Sequence, residues 1–167
     1  MPRVFVSIGS NIDKERNVRS AISALEQAYG PLSLSPIYET TAQGFDGDPF
    51  YNLVASFDCE VPPRAIAEQL AAIERRHGRA CNHRGFVPRT LDLDLLLYGD
   101  SVIRERDVVV PRPEIGQFAF VLRPLAELAP DLRHPETGQR MQDMWERFDG
   151  ARDSFRRVIL DPPLSAA

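Results

Sequence analysis

Arg89-Thr90-Leu91-Asp92-Leu93-Asp94-Leu95-Leu96-Leu97-Tyr98 is an apolar, strand-like run that carries two carboxylates two residues apart. Side chains alternate between the faces of a strand, so Asp92 and Asp94 share one face while Leu91, Leu93 and Leu95 share the other. Two strand steps set the aspartate Cα atoms roughly 6.5 Å apart. At that distance their oxygens can converge on one divalent cation, or on a pair about 3.5–4 Å apart. Without a cation or an arginine partner, the like charges would repel in a poorly solvated setting. Arg89 stands close by as a candidate phosphate ligand, because a guanidinium contacts phosphate oxygens bidentately. The chemistry this pattern predicts is Mg²⁺-dependent transfer of a phosphoryl-type group.

Outward from this strand, the chain alternates between two periods. Arg3–Ile8 is a short apolar strand, broken by Gly9-Ser10-Asn11. A helix follows from Asp13, the expected N-cap, to Tyr29. It carries Val18, Ile22, Leu25 and Tyr29 at helical spacing and ends at Gly30-Pro31. Leu32–Glu39 reads as a strand with an irregularity at Pro36, Thr40–Pro49 as a loop, and Asn52–Cys59 as a strand. Pro62-Pro63 introduces a second helix with Ile66, Leu70 and Ile73 on one side, stopping near Gly78. Arg79–Pro88 is a polar connection. The order strand, helix, strand, strand, helix, strand is the βαββαβ unit of ferredoxin-like α+β folds. It predicts a mainly antiparallel sheet with helices on one face. C-terminal additions are a short strand near Val108–Val110 and helices over Phe118–Leu128 and Met141–Phe148. Residues 156–167 read as an arm or frayed tail, and residues 1–167 as a single domain.

Composition narrows the function classes. An apolar share of 43% and a charged share of 26% over 167 residues fit an ordinary globular chain. A net charge of −4 weighs against a nucleic-acid surface. The basic residues are 19 Arg and a single Lys, Lys14. Cys59 and Cys81 make neither a disulfide framework nor a zinc site, and His77, Cys81 and His83 match no common ligand spacing. No apolar run reaches the length of a membrane span, and Met1-Pro2-Arg3 leads straight into a strand pattern. The expectation is a cytoplasmic monomer with small-molecule substrates and neither membrane nor nucleic-acid partners.

No Gly-x-x-x-x-Gly-Lys-Ser/Thr loop is present, so polyphosphate charge falls to metal and arginine. Arg79 and Arg89 flank the polar connection, with Arg84 and Arg112 as further candidates. Phe45, Phe50, Phe86 and Phe120 lie in or near loops, where a flat heterocycle could stack between two of them; each also suits a core. Glu74 closes the second helix on its polar side.

Four stretches carry a resemblance: Val6-Ser7-Ile8-Gly9-Ser10-Asn11, Pro49-Phe50-Tyr51-Asn52, Ile73-Glu74-Arg75-Arg76-His77-Gly78-Arg79, and Pro88 through Gly99. Together they resemble the 6-hydroxymethyl-7,8-dihydropterin pyrophosphokinases, in register from about residue 4 to residue 135. The resemblance implies a ferredoxin-like fold and transfer of pyrophosphate from ATP to a pterin alcohol, giving AMP, in folate biosynthesis. It implies that Asp92 and Asp94 hold two Mg²⁺ ions bridging the ATP phosphates. It implies pterin contacts from Asn52 at the ring edge, from the backbone around Thr40, and from Phe50 and Phe120 on the ring faces. Arg79 and Arg89 would bind phosphates and serve catalysis, Glu74 would shape the nucleotide site, and Arg79–Pro88 would be a loop that closes over the substrates.

The sequence departs from the family pattern at several positions, and several of these surround ATP in the family. Phe86 stands where the family has a Trp that contacts the pterin, Val87 where it has a small residue, and Cys81 where a basic residue is common. Arg112 replaces a His and Phe118 an Arg; Arg112 or Arg84 would compensate, and Arg112 joins the nucleotide-binding set. The rivals are a diverged paralogue using another pterin or nucleotide donor, a two-metal nucleotidyltransferase or cyclase that releases pyrophosphate, and a non-catalytic pterin- or nucleotide-binding module.

Overall fold

Strands with apolar residues at every second position and helices with one apolar stripe can share a core only if the helices lie flat on the sheet. The computed structural model, which describes residues 1–40, 49–78, 91–150 and 155–164, has that arrangement. Its first half runs β1 (Arg3–Ser10), α1 (Lys14–Tyr29), β2 (Ser33–Leu34), β3 (Ile37–Thr40), β4 (Phe50–Asp58), α2 (Pro63–Arg76) and β5 (Asp92–Tyr98). The expected second strand is split into β2 and β3 at Ser35-Pro36. There the Ser35 hydroxyl accepts the Val54 N–H at 2.8 Å, and the Ser35 N–H donates to Val54 O at 2.9 Å. The sheet order is β5-β1-β4-β3, with β2 also on β4 and every pairing antiparallel. This is the ferredoxin-like α+β arrangement.

Val4, Val6 and Ile8 of β1, Leu53, Ala55 and Phe57 of β4, and Leu91, Leu93 and Leu95 at β5 form one core. They pack with Val18, Ile22 and Leu25 of α1 and Ile66, Leu70 and Ile73 of α2. Each large aliphatic side chain buried there contributes about 1.5–3 kcal/mol.

The opposite face is also covered, which corrects the one-faced expectation. Phe5, Val54, Leu96 and Leu97 point away from α1 and α2, and this apolar surface needs its own cover. It comes from α3 (Glu114–Gln117), α4 (Ala119–Leu128) and α5 (Met141–Glu146), which bring Ile115, Val121, Leu122, Leu125 and Met141 onto it. A bulge makes the second layer fit. Phe5 pairs with Leu97 but Val6 pairs with Leu95, so the extra residue Leu96 turns to the second face together with Leu97.

The short strand near Val108–Val110 is β7 (Val109–Val110), paired with β6 (Ile103–Arg104). Three further details differ from expectation. β1 does not break at Gly9-Ser10 but pairs through both residues. Asp13 precedes α1 but sits in the left-handed region at φ 43° with no side-chain cap bond; Asn17 Nδ2 instead donates to Ile12 O at 2.7 Å. Residues 156–158 are not a frayed tail. Phe155–Val158 forms β8 on the free side of β3, and Leu160 is buried beyond it. An uncovered β3 would leave a row of unpaired backbone groups, and β8 satisfies them. No described helix is long and apolar enough to cross a membrane.

Candidate active site

α4 and α5 cover the second face only where it is apolar. Along the same face, strand register assembles a polar group. Gly9 stands between Asn52 on β4 and Asp92 on β5, and Ser7 pairs with Asp94. Because Leu91, Leu93 and Leu95 belong to the helix-side core, both carboxylates project together from the other side. Two interstrand steps separate the Asn52 and Asp92 backbones by about 10 Å. A Cβ at Gly9 would stand 3.0 Å from Asn52 Oδ1 and 3.9 Å from Asp92 Cβ. The absent side chain therefore keeps open the space between an amide and a carboxylate.

Thr40 pairs with Phe50, two residues along from the Tyr38–Asn52 rung and on the same face. Asn52 Nδ2 donates to Thr40 Oγ1 at 2.7 Å, and both residues are buried. Tyr38 closes this row on the α4 side. Burial, and after it a hydrogen bond to Glu127, pushes its phenol above the ordinary value. Asn11 follows β1 toward the same end of the sheet, with a buried Oδ1 that has no hydrogen-bond partner among the described residues.

β5 is the sheet's outermost strand, so its outer backbone donors need partners from elsewhere. Glu74, buried near the end of α2, accepts the Leu93 N–H on Oε2 at 2.9 Å. That N–H lies between the two aspartates in sequence, so the carboxylate fixes the backbone that presents them. Arg112 comes to the same edge from beyond β7. Its backbone N–H donates to Leu96 O at 3.0 Å, and its Nη2 lies 3.3 Å from Asp94 Oδ1. Its Nε lies 3.0 Å from Glu114 Oε2, an ion pair without the alignment of a hydrogen bond. A cavity of about 160 Å³ opens here, bounded in part by Glu74, Asp94, Asp107 and Arg112.

The donor set suits a hard divalent cation. Among the described residues no group of three or more His, Cys, Asp or Glu converges. Two carboxylates with coordination left over for phosphate oxygens and water match the habits of Mg²⁺. The Asp94 and Arg112 side chains remain 38% and 35% exposed, so their ion pair is weak enough for a cation to compete with it.

Phe120, in the first turn of α4, exposes its ring and stacks on Phe118 with centroids 5.2 Å apart. Phe118 enters the sequence reading only as a departure, and here it is a second aromatic surface. Thr40, Phe50, Asn52, Asp92 and Asp94 thus share one sheet face, Glu74 and Arg112 meet at the edge of β5, and Phe120 opens α4. Arg79, Phe86 and Arg89 lie outside the described residues, as do Cys81, Arg84, Val87 and Phe45. Sequence reasoning missed Gly9, taken for a break. The signal was a glycine inside a strand pattern, which marks a close approach.

A family model described as 7,8-dihydro-6-hydroxymethylpterin-pyrophosphokinase matches residues 5–130. The chain is similar to the 2-amino-4-hydroxy-6-hydroxymethyldihydropteridine pyrophosphokinase of Pseudomonas aeruginosa, 39% identical over 138 residues that cover 80% of this chain and 85% of that one. It is similar to the protein of the same name from Bacillus subtilis, at 33% identity over 90% of this chain and 94% of that one. In three dimensions it is similar to the crystal structure of Plasmodium falciparum HPPK-DHPS A437G, with a TM-score of 0.76 at 11% identity. That match covers 95% of this chain and 49% of the other, so the chain spans about half the length of that protein and the likeness speaks to fold.

Proposed function

Because this chain belongs to the 7,8-dihydro-6-hydroxymethylpterin-pyrophosphokinase family, and so is a pyrophosphokinase of folate biosynthesis, we propose a division of labour for its candidate site. The family implies ATP as co-substrate. In our reading pyrophosphate passes from ATP to the hydroxymethyl oxygen of 6-hydroxymethyl-7,8-dihydropterin, and Asp92 and Asp94 hold two Mg²⁺ ions. The observation that carries this reading is the row Asn52, Gly9, Asp92. A ring-edge hydrogen bonder and a carboxylate cradle flank a residue with no side chain.

Asn52, its amide fixed by Thr40, orients the pterin edge, with Phe50 and Phe120 offering ring faces and Phe86 a third. The pterin hydroxyl oxygen then bonds to the β-phosphorus, and the bond from that phosphorus to the α-bridging oxygen breaks, releasing AMP. Arg79, Arg89 and Arg112 oppose the charge that grows on the phosphate oxygens. Bound Mg²⁺ supplies charge neutralisation and alignment of the polyphosphate. A loose transition state needs little early proton removal, so Asp94 suffices to receive the hydroxyl proton late. In the same reading residues 1–167 act as one domain, a monomer in the cytoplasm.

Incubation with ATP, Mg²⁺ and the pterin alcohol should yield AMP and the pterin diphosphate. Asp94→Ala should lower the rate at saturating substrate by about 10²–10³. Release of pyrophosphate instead of AMP, or an Asp94→Ala rate within about tenfold of wild type, contradicts the reading. A second reading, a different nucleotide donor, is favoured by Arg112 against Asp94 and by Phe118 at an exposed position. Parallel assays with ATP and GTP separate the two.

A further inference from the structure

Nineteen of the twenty Lys and Arg residues are Arg, and the exception, Lys14, has no part in the chemistry above. It opens α1, where a cation opposes the helix dipole. The helix start is already poor, with Asp13 left-handed and no side-chain cap bond. A local rule broken this way points to a compensating tertiary role. Lys14 Nζ donates to Glu39 Oε2 at 3.2 Å and to Pro49 O at 3.3 Å, and lies 4.8 Å from the centroid of the Tyr51 ring.

These three contacts span the end of β3 and the start of β4. Glu39 pairs with Tyr51, between the Thr40–Phe50 and Tyr38–Asn52 rungs. Tyr51 packs on the helix-side core, so the ammonium grips these rungs from the face opposite Thr40, Phe50 and Asn52. The other Glu39 oxygen accepts Arg156 Nη2 from β8 at 3.1 Å, which holds the carboxylate from both sides. The Lys14 and Glu39 side chains are 24% and 20% exposed, so solvent competes little for the pair. A compact ammonium can serve two acceptors and a ring face from one point, which a planar, forked guanidinium does not reproduce.

We propose that Lys14 is a positioning residue for the pterin site. It fixes, from the far side of the sheet, the rungs that carry Thr40, Phe50 and Asn52, and so sets pterin affinity without touching the substrate. The proposal rests on assigning the pterin to those residues. Its test is calorimetric titration of the pterin alcohol into protein holding Mg²⁺ and a non-hydrolysable ATP analogue, with steady-state kinetics alongside. Lys14→Met should weaken pterin binding about tenfold and raise the pterin KM in step, with kcat and the KM for ATP unchanged. Lys14→Arg should recover part of the loss, and it serves as the probe if Lys14→Met does not fold. Folded variants that bind pterin as wild type does, or that lose kcat or ATP affinity instead, overturn the role of Lys14 alone. A wild type that binds no pterin overturns the pterin assignment, and this proposal with it.

Discussion

A methyl group at position 9 would sit 3.0 Å from Asn52 Oδ1, a contact that side chains do not tolerate without moving. The atom that gives way is the Asn52 amide, whose other end donates to Thr40 Oγ1 at 2.7 Å. Gly9→Ala therefore presses the amide aside by a few tenths of an ångström and strains that bond, while leaving the strand pairing of Gly9 intact. We predict that it weakens pterin binding by about tenfold or more, with a cost in stability of no more than about 1–3 kcal/mol. Titration with the pterin and urea unfolding of the same variant check both parts; unchanged affinity would remove Asn52 from the site. At this scale the sequence was partly legible. That Asp92 and Asp94 share a face follows from a period of two and needs no partner strand. That Gly9 lies between Asn52 and Asp92 depends on register across three strands, which local pattern does not carry. The contact of Arg112 with Asp94 depends on where the chain goes after β7.

Elements show the same division. The periodicities of α1, α2, β1, β4 and β5 were readable because each buries one face in a single helix-side core. The second layer was not, because the demand for it comes from Phe5, Val54 and the bulged Leu96 on strands far apart in sequence. β8 was hidden for a related reason: its four residues become a strand only through the free side of β3. Edge strands also explain Glu74, whose helix position reads as solvated but whose carboxylate meets a backbone donor of β5. Glu74→Ala leaves the Leu93 N–H without this partner in a buried setting, and should cost about 1–3 kcal/mol. Glu74→Gln keeps a neutral acceptor of the same reach and should cost less. The shift in urea midpoint measures both; equal and negligible shifts would show that β5 is held by other contacts.

For the molecule as a whole, His134 and Glu39 are two of the shifted groups that make acid the destabilising direction, and they act in separate windows. Burial, partly offset by Glu136, holds the His134 imidazole below its ordinary value. Its Nδ1 accepts the N–H groups of Glu136 at 3.2 Å and Thr137 at 3.4 Å, which only the unprotonated nitrogen can do. The unfolded chain therefore binds this proton at a higher pH than the folded one. Stability is level above the unfolded histidine value of about 6.5 and falls as pH drops below it. Glu39 acts lower on the scale. Burial alone would raise its pKa, but the hydrogen bond and charge of Lys14, with Arg156, outweigh that and lower it. Its contribution is complete above the ordinary carboxylate value and is lost as pH falls through the lowered one. We predict that the thermal midpoint of wild type declines between pH 7 and 5.5, and that His134→Gln flattens that part of the curve. Glu39→Gln should leave that part unchanged and reduce the steeper loss below about pH 4.5. Comparison within one series isolates each group, because each variant differs from wild type at a single residue. If His134→Gln keeps the wild-type slope between pH 7 and 5.5, the turn at residues 134–138 is not what couples folding to protons in that range.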